Sequence, residues 1–191
     1  MFPIILDVSK QNLALIGNGR ATLRRLESLD AAGAENVVVF ANKVSDEIKK
    51  LAGDRLEERL PEEKDFEGIT AIFVGDFTRE ETKEIVEKAE KAGVKLINSE
   101  DMTEFCNFHV PALVRRGDLL ITSSTGGASP RLARRVRQEL ENIFKPEWKD
   151  ITENIAKQRL TWKKQGADFN EIAKKTDDLI EENGWFEQFK N

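Results

Sequence analysis

Cysteine and histidine are almost missing from this chain of 191 residues, which has one of each, Cys106 and His109. A single cysteine closes no internal disulfide, and one cysteine with one histidine does not supply the ligands of a structural zinc site, so no metal site is expected. A reducing, cytoplasmic setting is the expectation. No apolar run approaches the roughly 18 residues of a membrane span, and Met1-Phe2-Pro3 does not open a charged region followed by an apolar core, so neither a membrane segment nor a secretion signal is read. Basic excess is missing too. Thirty Lys and Arg face 35 Asp and Glu, a net charge of −5, which argues against a nucleic-acid coat and leaves only local basic patches to consider. There is no internal repeat and no low-complexity tract. What is plentiful is apolar material, 39% of residues beside 34% charged, recurring along most of the length; this excludes a disordered polyampholyte and suffices for one ordinary domain plus a small appendage.

The order of apolar runs predicts an α/β fold. Leu13-Ala14-Leu15-Ile16 reads as a strand, Gly17-Asn18-Gly19-Arg20-Ala21-Thr22 as a tight turn, and Leu23, Leu26 and Leu29 as one face of a helix stopping at Gly33. Val37-Val38-Val39-Phe40 is a continuous run of the kind buried on both faces of a parallel sheet. Further strands are predicted at Arg55–Leu60, Ala71–Val74 and Val94–Ile97, with a helix from about Arg79 to Lys91 ending at Gly93. Strands alternating with helices imply a Rossmann-like, doubly wound parallel sheet. After Ile97 the texture changes, and Asn98 to Asn107 is polar and turn-rich. Phe108–Val114 and Leu119–Thr122 read as a hairpin around Arg115-Arg116-Gly117-Asp118, and Ser129-Pro130 supplies an N-cap and first-turn proline for a helix to about Phe144. Beyond Pro146 the charged remainder spaces its apolar residues like two or three amphipathic helices. The expected division is a Rossmann-like dinucleotide domain at 1–107, a small α+β region at 108–145, and a helical segment at 146–191.

Three stretches are candidates for chemistry. In the glycine turn, Gly17 allows the sharp reversal and Gly19 lets a diphosphate approach the backbone, while the helix beginning at Arg20 and Ala21 offers unpaired N–H groups and the positive end of its dipole. Placed between a strand and a helix, this turn points to a dinucleotide, with Gly17, Asn18, Gly19, Arg20 and Ala21 around the diphosphate. The acid expected on the ribose is replaced by Asn42, whose amide can bond a ribose hydroxyl, so spacing alone leaves NAD against NADP open. The second stretch is Ser123–Pro130 followed by Arg131, Arg134, Arg135 and Arg137. Hydroxyls, flexible backbone and a helix start make an anion pocket, and from Arg115 to Lys145 seven basic residues oppose three acidic ones, pointing to a phosphate or polycarboxylate ligand. No repeated aromatic motif lies beside these arginines, so nucleic acid is not the expected partner. The third is Asn98-Ser99-Glu100-Asp101, at a strand end that faces the cofactor crevice; Glu100 or Asp101 is the candidate general base, and spacing does not choose. His109 reads as a structural or rim residue and Cys106 as small filler.

Taken together these residues resemble the precorrin-2 dehydrogenases of siroheme biosynthesis and the N-terminal module of siroheme synthase, over about residues 2–145. The resemblance rests on Pro3-Ile4-Ile5-Leu6-Asp7, Ile16-Gly17-Asn18-Gly19 with Leu23-Arg24-Arg25, Ala32-Gly33-Ala34, Asn98 with Asp101, Phe108-His109-Val110-Pro111-Ala112, and Ser124-Thr125-Gly126-Gly127-Ala128-Ser129-Pro130 with Leu132-Ala133-Arg134, in that order. It implies NAD-dependent oxidation of precorrin-2 to sirohydrochlorin, with ferrous iron insertion in some members. It also implies an essential aspartate at Asp101, substrate carboxylates held by Ser124, Gly126, Gly127, Ser129, Arg131 and Arg134, and a homodimer built through 108–144. Asn18 and Thr22 depart from the glycine and alanine most often seen in the turn, and Ser99 and Glu100 from the usual apolar pair before the aspartate. From Glu147 the match is poor, those helices are given a packing or lid role, and no methyltransferase domain is expected. The alternatives are a non-catalytic sensor of NAD(H) or a tetrapyrrole, and a stand-alone sirohydrochlorin ferrochelatase.

Overall fold

The β-branched and aromatic runs form five parallel strands: β1 (Asn12–Ile16), β2 (Asn36–Phe40), β3 (Leu56–Glu57), β4 (Ala71–Val74) and β5 (Leu96–Ser99). They are seen in a computed structural model, which describes residues 1–100 and 102–187. Helices α1 (Arg20–Ala31), α2 (Asp46–Ala52) and α3 (Arg79–Lys91) connect them, and the spatial order is β3-β2-β1-β4-β5. The chain walks outward from β1 to β3, then crosses back to lay β4 on the other side of β1. This reversal makes the crevice between the ends of β1 and β4 the topological switch point, where open parallel sheets take their ligands.

Alternation along the strands builds two cores. Leu13 and Leu15 pack with Leu26 and Leu29 of α1, Ile48 of α2 and Phe73 of β4, whereas Ala14 and Ile16 pack with Phe66, Ile72, Val74 and with Ile85, Val86 and Ala89 of α3. Both faces of the sheet are thereby covered, which is why β1 and β4 are apolar at every position but one, the exposed Asn12.

One helix and several boundaries differ from expectation, each for a local reason. The sequence reading has no helix at Asp46–Ala52, yet Ser45 accepts the Ile48 N–H at 3.3 Å, and Asp46 and Glu47 sit in the first turn, where the helix dipole favours acids. β3 is two residues long because Arg55 belongs to the preceding 3-10 turn and Arg59 is drawn away to pair with Asp65. β5 starts at Leu96, since the Val94 N–H still closes the end of α3 on the Ala89 carbonyl, with Gly93 at φ 92°. The hairpin starts at Ala112; Phe108 instead packs edge-on against Phe73, their ring centres 5.6 Å apart.

The chain divides into two units, Met1–Val110 and Pro111–Asn191. The second holds the antiparallel hairpin β6 (Ala112–Arg116) and β7 (Leu119–Ser123), with α4 (Pro130–Ile143), α5 (Trp148–Lys164) and α6 (Phe169–Glu182). Gly117 turns the hairpin at φ 60°, a conformation natural to glycine. Trp148 is buried between Phe144 and Phe186, at centroid distances of 5.1 and 5.3 Å. Among the described residues no helix is long and apolar enough to cross a membrane.

Candidate functional site

The glycine turn stands where β1 runs into α1. Gly17 is buried and its N–H bonds the Phe40 carbonyl at 3.0 Å; a Cβ there would lie 1.8 Å from Thr22 Oγ1 and 2.8 Å from the Gly75 carbonyl oxygen, so only glycine fits. Gly19 is the N-cap of α1 and has no side chain to satisfy the helix end. A carboxylate from across the switch point does so instead. Asp76, just past β4, accepts the Gly19 N–H at 2.9 Å, the Thr22 N–H at 3.1 Å and the Thr22 hydroxyl at 2.7 Å on Oδ2, and the Ala21 N–H at 3.4 Å on Oδ1. Asp76 has φ 64°, alone among the described non-glycine residues in taking a positive value, and aspartate tolerates that region better than most. Burial of the carboxyl would raise its pKa, but the Thr22 hydroxyl and the Thr22, Gly19 and Ala21 N–H groups outweigh it and hold the carboxyl below the ordinary range.

The turn and helix start have the backbone form that a dinucleotide's diphosphate requires. A Cβ at Gly19 would meet the Asp76 carboxyl at 2.8 Å, so the backbone is open to an anion only because this residue is glycine. The residues fit the group, with Asp76 as an acceptor already on the same donors. Asn18 and Asn42, both expected to face cofactor, bind each other: Asn18 Nδ2 donates to Asn42 Oδ1 at 2.9 Å, and Asn18 Oδ1 accepts the N–H groups of Asn42 and Lys43, both at 3.0 Å. Asn18 thus staples the glycine turn to the end of β2, which gives its departure from glycine a structural reason. Arg20 is exposed at the first position of α1 and Ala21 is buried.

At the end of β5, Glu100 receives the Arg25 guanidinium of α1, through Nε at 2.8 Å and through Nη2, while Arg25 stacks 5.2 Å above the Phe73 ring. Of the two acids read as candidate bases, Glu100 is thus held in an ion pair with Arg25, and the other, Asp101, lies outside the described residues. Cys106 is half-buried, its Sγ accepting the Ser99 N–H at 3.0 Å and donating to the Ser99 carbonyl at 3.1 Å, and burial pushes the thiol up. It is therefore a poor nucleophile at neutral pH. Asn98 is buried and donates to the Phe108 carbonyl at 3.1 Å, and its Oδ1 has no partner among the described residues. A small cavity of about 50 Å³ opens past the ends of β4 and β5, bordered by Gly75, Asp76, Phe77, Thr82, Ser99 and Met102. A larger one of about 270 Å³ lies between α3 and the Glu104–Asn107 stretch; its Glu87, Glu90 and Glu104 outnumber Lys83, an unsuitable lining for an anionic ligand.

In the second unit the small-residue loop is braced by its own hydroxyls. Thr125 Oγ1 accepts the Ser129 N–H and donates to the Ser129 carbonyl, both at 3.0 Å, Ser124 Oγ accepts the Gly126 N–H at 3.2 Å, and Ser129 Oγ caps α4 at Leu132. Gly126 and Gly127 both take positive φ and are exposed. The basic residues separate into two sets. Arg116 donates to the Phe144 carbonyl at 2.7 Å, closing the C-terminus of α4, while Arg135 and Arg137 pair with Glu139 and Glu141 one turn on. Arg131 and Arg134 are exposed and form no ion pair among the described residues. They remain the available cations of the loop and helix start. The residue that sequence reasoning missed is Asp76, for which the only local signal was Gly75-Asp76 directly after an apolar strand.

Residues 4–112 match a protein family described as "Putative NAD(P)-binding", and residues 116–143 match one described as "Sirohaem biosynthesis protein central". A siroheme synthase of Pseudoalteromonas atlantica is 29% identical over 91% of this chain, and the match covers 37% of that protein. A precorrin-2 dehydrogenase of Bacillus subtilis is 27% identical over 75% of this chain and 89% of its own length. A siroheme synthase of Methylococcus capsulatus is 33% identical over 74% of the chain and 30% of its own length. The chain thus spans about a third of the siroheme synthases it matches. Among solved structures, one titled "SirC, precorrin-2 dehydrogenase" superimposes with a TM-score of 0.75 over 94% of this chain and 89% of that one, at 22% identity, which establishes a shared fold.

Proposed function

This chain belongs to the family of NAD(P)-binding proteins of siroheme biosynthesis that holds precorrin-2 dehydrogenases and siroheme synthases, and from that premise we propose that it oxidises precorrin-2 to sirohydrochlorin with NAD. One observation carries the reading: the glycine turn Gly17–Gly19 and the α1 N-terminus lie at the β1/β4 switch point, where this fold receives a dinucleotide. Gly17, Asn18, Gly19, Arg20 and Ala21 form the diphosphate cradle and Asn42 serves the adenine-side ribose, with no carboxylate at that strand end. The bound nicotinamide supplies a hydride acceptor. Removal of two hydrogens from the macrocycle divides into that hydride and one proton, and we assign the proton to Asp101, the acid next to the Arg25-paired Glu100. Arg131 and Arg134, with the Ser124, Gly126, Gly127 and Ser129 loop, hold the acetate and propionate groups of the substrate through charge-assisted hydrogen bonds.

The reading includes a homodimer and a cytoplasmic setting. Leu132, Val136 and Ile143 line one side of α4 and are 54%, 38% and 37% exposed, an apolar stripe suited to a second copy of the chain. The free, half-buried Cys106 suits a reducing compartment. The assay is precorrin-2 with NAD, in parallel with NADP and with added ferrous iron, followed by sirohydrochlorin absorbance. Turnover above the enzyme-free rate is expected with NAD; none with either nucleotide overturns the reading. Asp101→Ala is expected to abolish turnover while retaining NAD affinity. A wild-type chain that binds NAD or tetrapyrrole without turnover is a sensor, and iron insertion without any nucleotide marks a ferrochelatase.

A further inference from the structure

Asp76 crosses the switch point and occupies the donors on which a dinucleotide's diphosphate depends. Three N–H groups at the start of α1, those of Gly19, Ala21 and Thr22, all point at its carboxylate. Each N–H supports one strong bond, and the positive end of a helix dipole attracts whichever anion reaches it first. Thr22 strengthens the carboxylate's hold: it stands where an alanine or glycine is usual, and its hydroxyl donates to Asp76 at 2.7 Å. The departure at Thr22 and the acid at Asp76 therefore form one feature, assembled from residues 54 positions apart.

We propose that Asp76, clamped by Thr22, is an internal competitor for the diphosphate cradle and sets the nicotinamide-dinucleotide affinity of this chain. The inference rests on the dinucleotide reading above. Two anions within hydrogen-bond reach of the same donors repel, so the diphosphate enters as the Asp76 carboxylate withdraws, and the apparent affinity falls by the fraction of molecules in which it has done so. Because Asp76 also caps α1, its removal acts in opposite directions on two measurements: the ligand-free protein loses stability while the dinucleotide binds more tightly. A purely structural role would lower both.

The test is calorimetric titration of the whole chain, of Asp76→Asn and of Thr22→Ala, with NAD and with adenosine, which lacks the diphosphate, beside thermal melts without ligand. The expected result is an NAD dissociation constant about tenfold lower in Asp76→Asn and lower by a smaller factor in Thr22→Ala, unchanged adenosine affinity, and a lower melting temperature for Asp76→Asn. NAD affinity equal to or weaker than wild type in both variants overturns the inference while the dinucleotide reading stands. Binding seen only in the variants supports it in its strongest form. Failure of all three proteins to bind NAD or NADP sinks the dinucleotide reading and this inference with it. If Asp76→Asn does not fold, Thr22→Ala decides alone, since it removes the hydroxyl and keeps the carboxylate as cap.

Discussion

In the sheet unit Leu13, Ala14, Leu15 and Ile16 are at most 1% exposed, whereas among the described apolar residues of the hairpin unit only Val114, Ala133 and Trp148 are buried, and Leu132 on α4 is more than half exposed. A parallel sheet with helices on both faces completes its core within one chain, because strand alternation sends each neighbouring residue into one of two covered layers. The two-stranded hairpin has too few strands for that and depends on its helices. Its stripe of Leu132, Val136 and Ile143 is the surface on which the proposed dimer would be built. The groups proposed to meet ligands differ likewise: in the sheet unit they are backbone N–H groups at the start of α1, and in the hairpin unit the long cationic side chains of Arg131 and Arg134 at the start of α4.

That contrast can be broken most forcefully at Phe66, fully buried in the sheet unit. Phe66→Ala is expected to cost about 3–5 kcal/mol in chemical denaturation, whereas Leu132→Ser is expected to change stability by no more than about 0.5 kcal/mol at low protein concentration and to shift sedimentation from dimer to monomer. A large stability loss for Leu132→Ser would show the stripe to be covered within the chain. Next in size, Arg131→Ala and Arg134→Ala are each expected to raise the KM for precorrin-2 by roughly tenfold, the effect of one lost charge-assisted bond, with kcat and thermal stability nearly unchanged. A fall in kcat alone would move these arginines from substrate capture to the chemical step.

The smallest effect concerns acid stability of the sheet unit. Arg59 holds Asp65 through two hydrogen bonds of 2.6 and 2.9 Å, and that pairing brings the carboxyl down to about 2. A carboxyl lowered by folding stabilises the native state at all pH values above its unfolded pKa, about 4, and loses that contribution as pH falls toward 2. Asp65→Asn is therefore expected to flatten the decline of melting temperature between about pH 4 and 2, with little change in its slope at neutral pH. An unchanged acid profile would show that the pair contributes nothing net.

Much of the fold was legible because its signals are local. Ala71–Val74 and Arg79–Lys91 match the spans read from an apolar run and from a helical pattern ending at Gly93, and the structure adds a Thr78–Glu81 capping box at the start of that helix. Ser129-Pro130 announced α4 for the same reason. The helix at Asp46–Ala52 escaped notice because its two turns bury only Ile48 and Ala52, too few positions to show a period. The site was half legible: the glycine turn and the exposed Arg131 and Arg134 could be read, but the engagement of Asn18 with Asn42 and of Glu100 with Arg25 could not.

By itself, then, the amino-acid sequence determined which segments become strands and helices and where a dinucleotide turn and a cationic loop would lie, since hydrophobic period, caps and glycine turns act over a few neighbouring residues. Only the tertiary structure decided that the carboxylate of Asp76 would meet the start of α1, and that Arg25 would take Glu100. Those pairs join residues 54 to 75 positions apart. The parallel pairing of β1 with β4 and of β4 with β5 brings the carboxyl ends of strands distant in the chain to one edge, and no local pattern carries information across that distance.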